Sequence, residues 1–219
     1  MFGRYFSINQ IHSLVVIIIL MARYIIGIDE VGRGPLAGPI VVCAFCLKAG
    51  ARADLDGIRD SKKMSAKQRK KWEQILNDFK KKNKVTFAFA SVSPGVIDRI
   101  GIGQAGRLAT ERALSKLSLP PKQCRVFLDG GLSAPEEFCF QKTVIRGDQK
   151  IKVVSCASVL AKVRRDRMMR RLAKIYPEYG FEKHKGYGTR VHYSKIKKLG
   201  SSPIHRRSFL KNISPLQNL

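Results

Sequence analysis

Acidic residues are scarce in this 219-residue chain: sixteen Asp and Glu stand against forty-two Lys and Arg, a formal net charge of +26. So lopsided a balance repels itself and draws polyanions, and it points to a nucleic-acid partner ahead of membrane phosphates. Long apolar runs are also lacking. The run L-V-V-I-I-I-L-M ending at Met21 has 8 residues, against the roughly 20 needed to span a bilayer, so no membrane association is expected. No small-residue cleavage site follows it, which argues against a signal peptide. The five cysteines are odd in number and form no paired framework. Cys43-x-x-Cys46 lies in a strand-like run that would send its two sulfurs to opposite faces, and no second such pair completes a zinc site. All five therefore read as reduced core or near-core thiols of a cytoplasmic protein. The four histidines have no metal-ligand spacing. There is no G-x-x-x-x-G-K-[ST] phosphate loop, no local Ser/His/Asp or Cys/His nucleophile context, no internal repeat and no linker between domains of similar size.

What is present centres on Ile25–Pro39, I-I-G-I-D-E-V-G-R-G-P-L-A-G-P. An apolar strand delivers two adjacent carboxylates, Asp29 and Glu30, into a segment too rich in Gly and Pro for regular structure. A strand fixes such acids, and a glycine loop lets a ligand come close to the main chain. The preceding residues, 1–21, read as an extension from an upstream start that lies outside the folded core.

Periodicity predicts the remaining elements. A strand covers Tyr24–Asp29, apolar on both faces and so central, with a second over Ile40–Leu47 as its antiparallel neighbour. Ser65 is placed to cap a helix to about Lys82, carrying Trp72, Ile75, Leu76 and Phe79 on one face and lysines on the other. Val85–Val92 alternates as a third strand. Ser93-Pro94 opens a short helix, and Ile102–Leu117 is another. Cys124–Leu128 is a brief strand that hands Asp129 to Gly130-Gly131, repeating the opening design. A further short strand ends at Val144-Ile145 before Arg146-Gly147-Asp148. Ile151–Tyr176 is the longest helix, basic on one side through Lys162, Arg164, Arg165, Arg167, Arg170 and Arg171. Pro177 and Gly180 stop it; a Gly186–Thr189 loop and a helix over His192–Leu199 follow.

Asp29, Glu30, Asp129 and Asp148 thus sit at the ends of apolar strands or just beyond, beside glycines. Clustered carboxylates repel and call for cations. Hard oxygen donors near a polyanion suit Mg²⁺ or Mn²⁺, and two such ions can clamp an in-line phosphodiester displacement. Each acid alone is an ordinary turn residue; three in matching strand-to-glycine settings argue for function. One tension attends this set. On a regular strand Asp29 and Glu30 point to opposite faces, so both serve one site only if the chain twists or leaves the sheet between them.

These residues resemble bacterial ribonuclease HII over nearly all of Tyr24–Phe209. The resemblance rests on G-I-D-E-V-G-R-G-P-L-A-G-P (27–39), D-S-K-K (60–63), F-L-D-G (127–130), R-G-D (146–148), S-C-A-S-V-L-A-K-V-R-R-D (155–166), H-K-G-Y-G-T (184–189) and S-P-I-H-R-R-S-F (202–209). It departs from the family at Cys156, where a small alanine is usual. The extension before Met21 is unlike the substantial N-terminal domain of the sister family, ribonuclease HIII, which favours ribonuclease HII.

The resemblance implies an α/β fold: an RNase H-like mixed sheet flanked by helices, with a C-terminal helical portion. The catalytic domain would cover residues 22–212, and 213–219 would be a tail. It further implies a monomeric, metal-dependent endonuclease that hydrolyses the RNA strand of RNA–DNA hybrids. Such enzymes also incise 5′ of single ribonucleotides in duplex DNA, leaving 3′-hydroxyl and 5′-phosphate ends.

Asp29, Glu30, Asp129 and Asp148 match the family's catalytic, metal-binding acids. Gly32, Arg33 and Gly34 match the loop whose backbone senses the ribose 2′-hydroxyl, and Tyr187 the tyrosine at the following deoxyribose. Ser61, Lys62, Ser158 and Lys162 match candidate phosphate contacts. Against these stand plainer readings: a Lys162–Asp166 surface pair, a solvated turn at Ser61-Lys62, and structural roles for His184 and His205. Two other functions stay open from the residues: an RNase H-like nuclease acting on DNA, such as a junction resolvase, and a non-catalytic basic nucleic-acid binder.

Overall fold

The computed structural model describes residues 22–211. The expected extension, 1–21, and the tail, 213–219, lie outside the described residues.

Five strands form one mixed sheet in the order β3-β2-β1-β4-β5. They are β1 (Tyr24–Val31), β2 (Ile40–Lys48), β3 (Val85–Val92), β4 (Cys124–Asp129) and β5 (Gln141–Val144). β1 pairs antiparallel with β2, and β2 with β3; β4 runs parallel to β1, and β5 to β4. The apolar strand at the head of the chain is therefore the central one, buried on both sides, as its composition predicted.

The helices are α1 (Ala66–Lys81), α2 (Pro94–Ser115), α3 (Gly147–Lys150), α4 (Lys152–Ile175), α5 (Phe181–His184) and α6 (Arg190–Leu199). α1 starts in a capping box: the Ser65 hydroxyl accepts from the Gln68 N–H while the Gln68 side chain accepts from the Ser65 N–H. The two helices expected across 94–117 are both present within α2, divided by a kink at Gly101, whose φ of 78° breaks the helical path.

Side-chain alternation in the strands makes two cores. Ile26, Ile28, Val42, Val126 and Leu128 pack on the α2 face. Cys43, Phe45 and Phe87 pack against α1 and α4 on the other. Cys43 and Cys46 do fall on opposite faces. Cys139 corrects the expectation for the thiols, since it is exposed whereas the other four are buried.

α4 lies closest to the sheet because its inward residues are small. Ala157 and Ala161 are fully buried, and Ser155 and Ser158 nearly so. Where α4 crosses β1 the backbones almost touch: a Cβ on Gly27 would lie 2.2 Å from the carbonyl carbon of Val153. The basic side assigned to this helix needs a correction too. Arg165 is fully buried, because it follows Ala157 and Ala161 at four-residue steps along the inward stripe. Among the others, Lys162 pairs with Asp166 at 2.7 Å and Arg167 with Glu73 at 2.8 Å.

Candidate active site

Parallel pairing of β1 with β4 sets Ile28 beside Leu128, so the next residues, Asp29 and Asp129, leave neighbouring strands side by side on the α4 face. Asp148 comes from the first turn of α3, just beyond β5. One carboxylate oxygen from each of Asp29, Asp129 and Asp148 falls within 4.8 Å of the other two. Main-chain groups orient them. The Glu30 N–H donates to Asp29 Oδ1 at 2.7 Å, and the Gly147 N–H donates to Asp129 Oδ1 at 2.6 Å. The Ser155 hydroxyl donates to the Asp148 carbonyl at 2.7 Å, tying α3 to α4.

Folding works against the charge of this group. Burial pushes the Asp29 carboxyl well above the usual carboxylate range, with Glu30 and Asp129 adding repulsion and a Ser158 hydrogen bond opposing it. Burial raises Asp148 to about 6, helped by Asp129 and Asp60 and opposed by Lys62. Three converging oxygen donors held against desolvation and mutual repulsion suit a hard divalent cation, which would supply the missing positive charge.

Glu30 is not in that triad. β1 stays in the ladder beyond it, with Asp29 opposite Cys43, Glu30 opposite Val42 and Val31 opposite Val41. Of the two ways for both acids to serve one site, leaving the sheet does not occur, because the pairing with β2 holds both in register. Glu30 instead lies at the rim. Its Oε1 pairs with Arg33 at 3.5 Å, while its buried Oε2 has no hydrogen-bond partner among the described residues. Burial raises its carboxyl, Arg33 lowers it, and nearby Asp129 raises it again. An orphaned buried carboxylate oxygen beside the triad is a further sign that a cation fits here.

The candidate phosphate contacts gather on the same side. The Ser158 and Ser61 hydroxyls are hydrogen-bonded at 2.9 Å, and both residues are buried. Lys162 lies one turn further along α4, where its Asp166 partner leaves its side chain only 19% exposed, so the pair is not the surface pair considered from sequence. Asp60 opens the D-S-K-K motif, and its part in the site emerges from its contacts. It accepts from the Lys62 N–H at 2.8 Å and from the Gln149 side chain at 3.2 Å. Those two bonds fix the Ser61-Lys62 turn against α3.

The loop after β1 is built from the inside by two arginines, both fully buried. Arg206 donates to the carbonyls of Gly32, Arg33 and Gly38, and Arg165 to those of Ala37, Pro39 and Lys185. Sequence reasoning assigned neither a role. The signal was available for Arg165 in its four-residue spacing from two alanines.

Tyr187 is 40% exposed, and its ring lies 5.8 Å from the Arg165 guanidinium. Its carbonyl is held by a histidine relay whose tautomers follow from one fixed donor. The Ser202 N–H donates to His205 Nδ1 at 2.9 Å, so the His205 proton is on Nε2. That proton is donated to His192 Nε2 at 3.0 Å, and His192 Nδ1 donates to the Tyr187 carbonyl at 2.9 Å. His184 stacks on His192 with ring centres 4.3 Å apart. His184, His192 and His205 thus bond to the chain around Tyr187, in keeping with the plainer reading of His184 and His205.

Comparison with known proteins agrees with this geometry. The family model for ribonuclease HII matches residues 26–212. Ribonuclease HII of Caldicellulosiruptor saccharolyticus is 43% identical over 192 residues, covering 87% of this chain and 89% of that one. Ribonuclease HII of Coxiella burnetii is 41% identical over 186 residues, covering 84% and 87%.

Among solved structures, ribonuclease H2 of Pyrococcus horikoshii aligns with a TM-score of 0.64 at 26% identity, over 86% of this chain and all of that one. The ribonuclease HII in a complex with PCNA from Archaeoglobus fulgidus gives 0.70 at 22%, over 89% and 98%. A Bst ribonuclease HIII in complex with Mn²⁺ gives 0.60 at 19%, over 87% and 65%. The last two likenesses bear on the fold. With three acids converging at the end of a mixed five-stranded sheet, and a family match spanning the sheet and every helix, the chain belongs to the ribonuclease HII family and is a hydrolase of the ribonuclease H type.

Proposed function

We propose that this chain hydrolyses the RNA strand of RNA–DNA hybrids and incises duplex DNA 5′ of a single embedded ribonucleotide. Water adds to phosphorus, the bond to the upstream O3′ breaks, and the products carry a 3′-hydroxyl and a 5′-phosphate. The observation that carries this reading is the convergence of Asp29, Asp129 and Asp148 within 4.8 Å of one another, beside a loop whose Gly32 and Arg33 carbonyls are turned inward to the buried Arg206.

Asp29, Glu30, Asp129 and Asp148 would hold Mg²⁺ or Mn²⁺, two ions in the presence of substrate. Those ions, when bound, supply the charge that polarises the phosphate, activates water and stabilises the departing oxygen. The Mn²⁺ in the complex of the structurally similar ribonuclease HIII supports the divalent choice.

The chain's own residues do the rest. Asp29 and Asp129 are fixed by strand pairing and main-chain donors, so they do not reorganise as charge develops. Ser61, Lys62, Ser158 and Lys162 would hold phosphate oxygens. Gly32, Arg33 and Gly34 would read the 2′-hydroxyl, the one group that separates RNA from DNA at a single position. Tyr187 would pack on the next deoxyribose. Every proposed site residue comes from one chain, which supports a monomer built on a catalytic domain over 22–212. Four buried, unpaired thiols support a reducing, cytoplasmic setting. No helix among the described residues is long and apolar enough to cross a membrane.

The test is a gel assay on a duplex with one ribonucleotide, with and without Mg²⁺. Cleavage on the 5′ side that requires the ion and disappears in Asp29→Asn is expected. Equal cutting of an all-DNA duplex would overturn the sugar-reading part, and binding without turnover would leave only a basic nucleic-acid binder.

A further inference from the structure

Two buried cations without carboxylate partners are costly unless something else satisfies them. Among the described residues no carboxylate lies within ion-pair distance of Arg165 or Arg206. Both guanidiniums are instead neutralised by carbonyl dipoles. Arg206 Nη1 meets the Arg33 oxygen at 2.8 Å, and Nη2 meets the Gly32 oxygen at 2.5 Å and the Gly38 oxygen at 2.9 Å. Arg165 Nε meets the Pro39 oxygen at 2.9 Å and Nη2 the Ala37 oxygen at 3.1 Å.

A trans peptide points its C=O and N–H in opposite directions, and the described chain has no cis peptide. Fixing the Gly32 carbonyl inward therefore turns the Arg33 N–H outward, and fixing the Arg33 carbonyl does the same for the Gly34 N–H. Neither N–H finds an acceptor among the described residues, whereas the Leu36, Ala37 and Gly38 N–H groups are all bonded. The glycines divide in the same sense. A Cβ on Gly32 would lie 2.2 Å from Arg165 Nε, while one on Gly34 would have nothing within 4 Å. Gly32 makes room for the arginine inside, and Gly34 leaves open the side that faces out.

We propose that Arg206, backed by Arg165, is a positioning residue for ribose recognition: it takes up the carbonyl side of the Gly32–Gly34 loop and so presents the Arg33 and Gly34 N–H groups as a paired donor for a sugar hydroxyl. This rests on the function proposed above. The same scaffold reaches the second sugar contact, since the Arg165 guanidinium lies over the Tyr187 ring. Burial and the neighbouring Arg165 bring Arg206 down to about 10, so it remains charged at neutral pH.

The test compares the wild type with Arg206→Lys, which keeps the charge but cannot span three carbonyls, and with Arg206→Gln. Affinity is measured in Ca²⁺ for two duplexes that differ by a single 2′-hydroxyl. The wild type should prefer the ribonucleotide duplex, and both variants should lose that preference by roughly 10-fold or more, as expected for misplaced donors, with affinity for all-DNA duplex unchanged. Retention of the wild-type preference, or an equal loss for both duplexes, overturns the proposal; the latter is the signature of a merely structural arginine. A second measurement uses only the folded wild type: the Arg33 and Gly34 amide NMR signals should shift with the ribonucleotide duplex and not with all-DNA. The absence of that difference also overturns it. A wild type with no preference at all would instead sink the parent function, and this inference with it.

Discussion

The fold disfavours a charge on Asp29, which the proposed chemistry requires. Asparagine at this position keeps the size and an acceptor for the Glu30 N–H while removing the buried charge. Because burial and neighbouring acids raise its carboxyl, the charged form destabilises the fold as pH rises above the unfolded carboxylate range, and the variant escapes that loss. In chelator at neutral pH, Asp29→Asn should melt roughly 2–6 °C higher than the wild type while cleavage is abolished. The advantage should shrink in acid, where the wild-type carboxyl is protonated. Mg²⁺ should raise the wild-type midpoint and leave the variant's in place, since an ion stabilises only the form that binds it. Thermal melts in chelator and in Mg²⁺ check each part.

Between elements, the crossing of β1 and α4 fixes the site. Gly27→Ala would drive a Cβ into the Val153 backbone, which cannot swing aside as a side chain could. The expected cost is about 3 kcal/mol or failure to fold, read from chemical melts. Gly34→Ala, in open space, should melt within about 1 °C of wild type and still cut the ribonucleotide duplex more slowly.

The histidine relay joins α6 to the segment ahead of Arg206. Burial pushes His192 and His205 down to about 4. A base whose folded pKa lies below its unfolded one contributes stability that is complete above about pH 6.5 and is lost as pH falls toward 4. The pair should cost up to about 4 kcal/mol between pH 7 and pH 5. His205→Gln should remove about half of that pH dependence, a difference in which the carboxylate contributions cancel.

At the scale of the whole molecule, the +26 charge bears on how duplex is reached rather than on what is cut. Association that releases counterions weakens steeply with salt. Between 50 and 200 mM salt, KM for a ribonucleotide duplex should rise roughly 10-fold or more, with kcat changing far less. Steady-state kinetics at several ionic strengths would show it, and a salt-independent KM would separate the charge from substrate capture. No one patch is needed for this, since exposed lysines lie on α1 and α6 alike.

Local pattern was enough to locate all five strands and the long helices, because alternation and the 3.6-residue period depend on near neighbours. Asp29 and Asp129 were legible for the same reason, each lying at or near the end of an apolar strand ahead of glycines, and Asp148 by its place beside Gly147 just beyond a short strand. Tertiary structure alone decided three things. Parallel pairing of β1 with β4 put Asp29 beside Asp129, a contact set by a crossover of some ninety residues that no short window contains. Continued pairing with β2 kept Glu30 at the rim. The inward turn of Arg165 and Arg206 reversed what a basic sequence suggests, because a guanidinium can be buried only where carbonyls from a distant loop arrive to meet it. Composition recorded the charge, and the fold determined which charges face the substrate and which hold the loop that would read it.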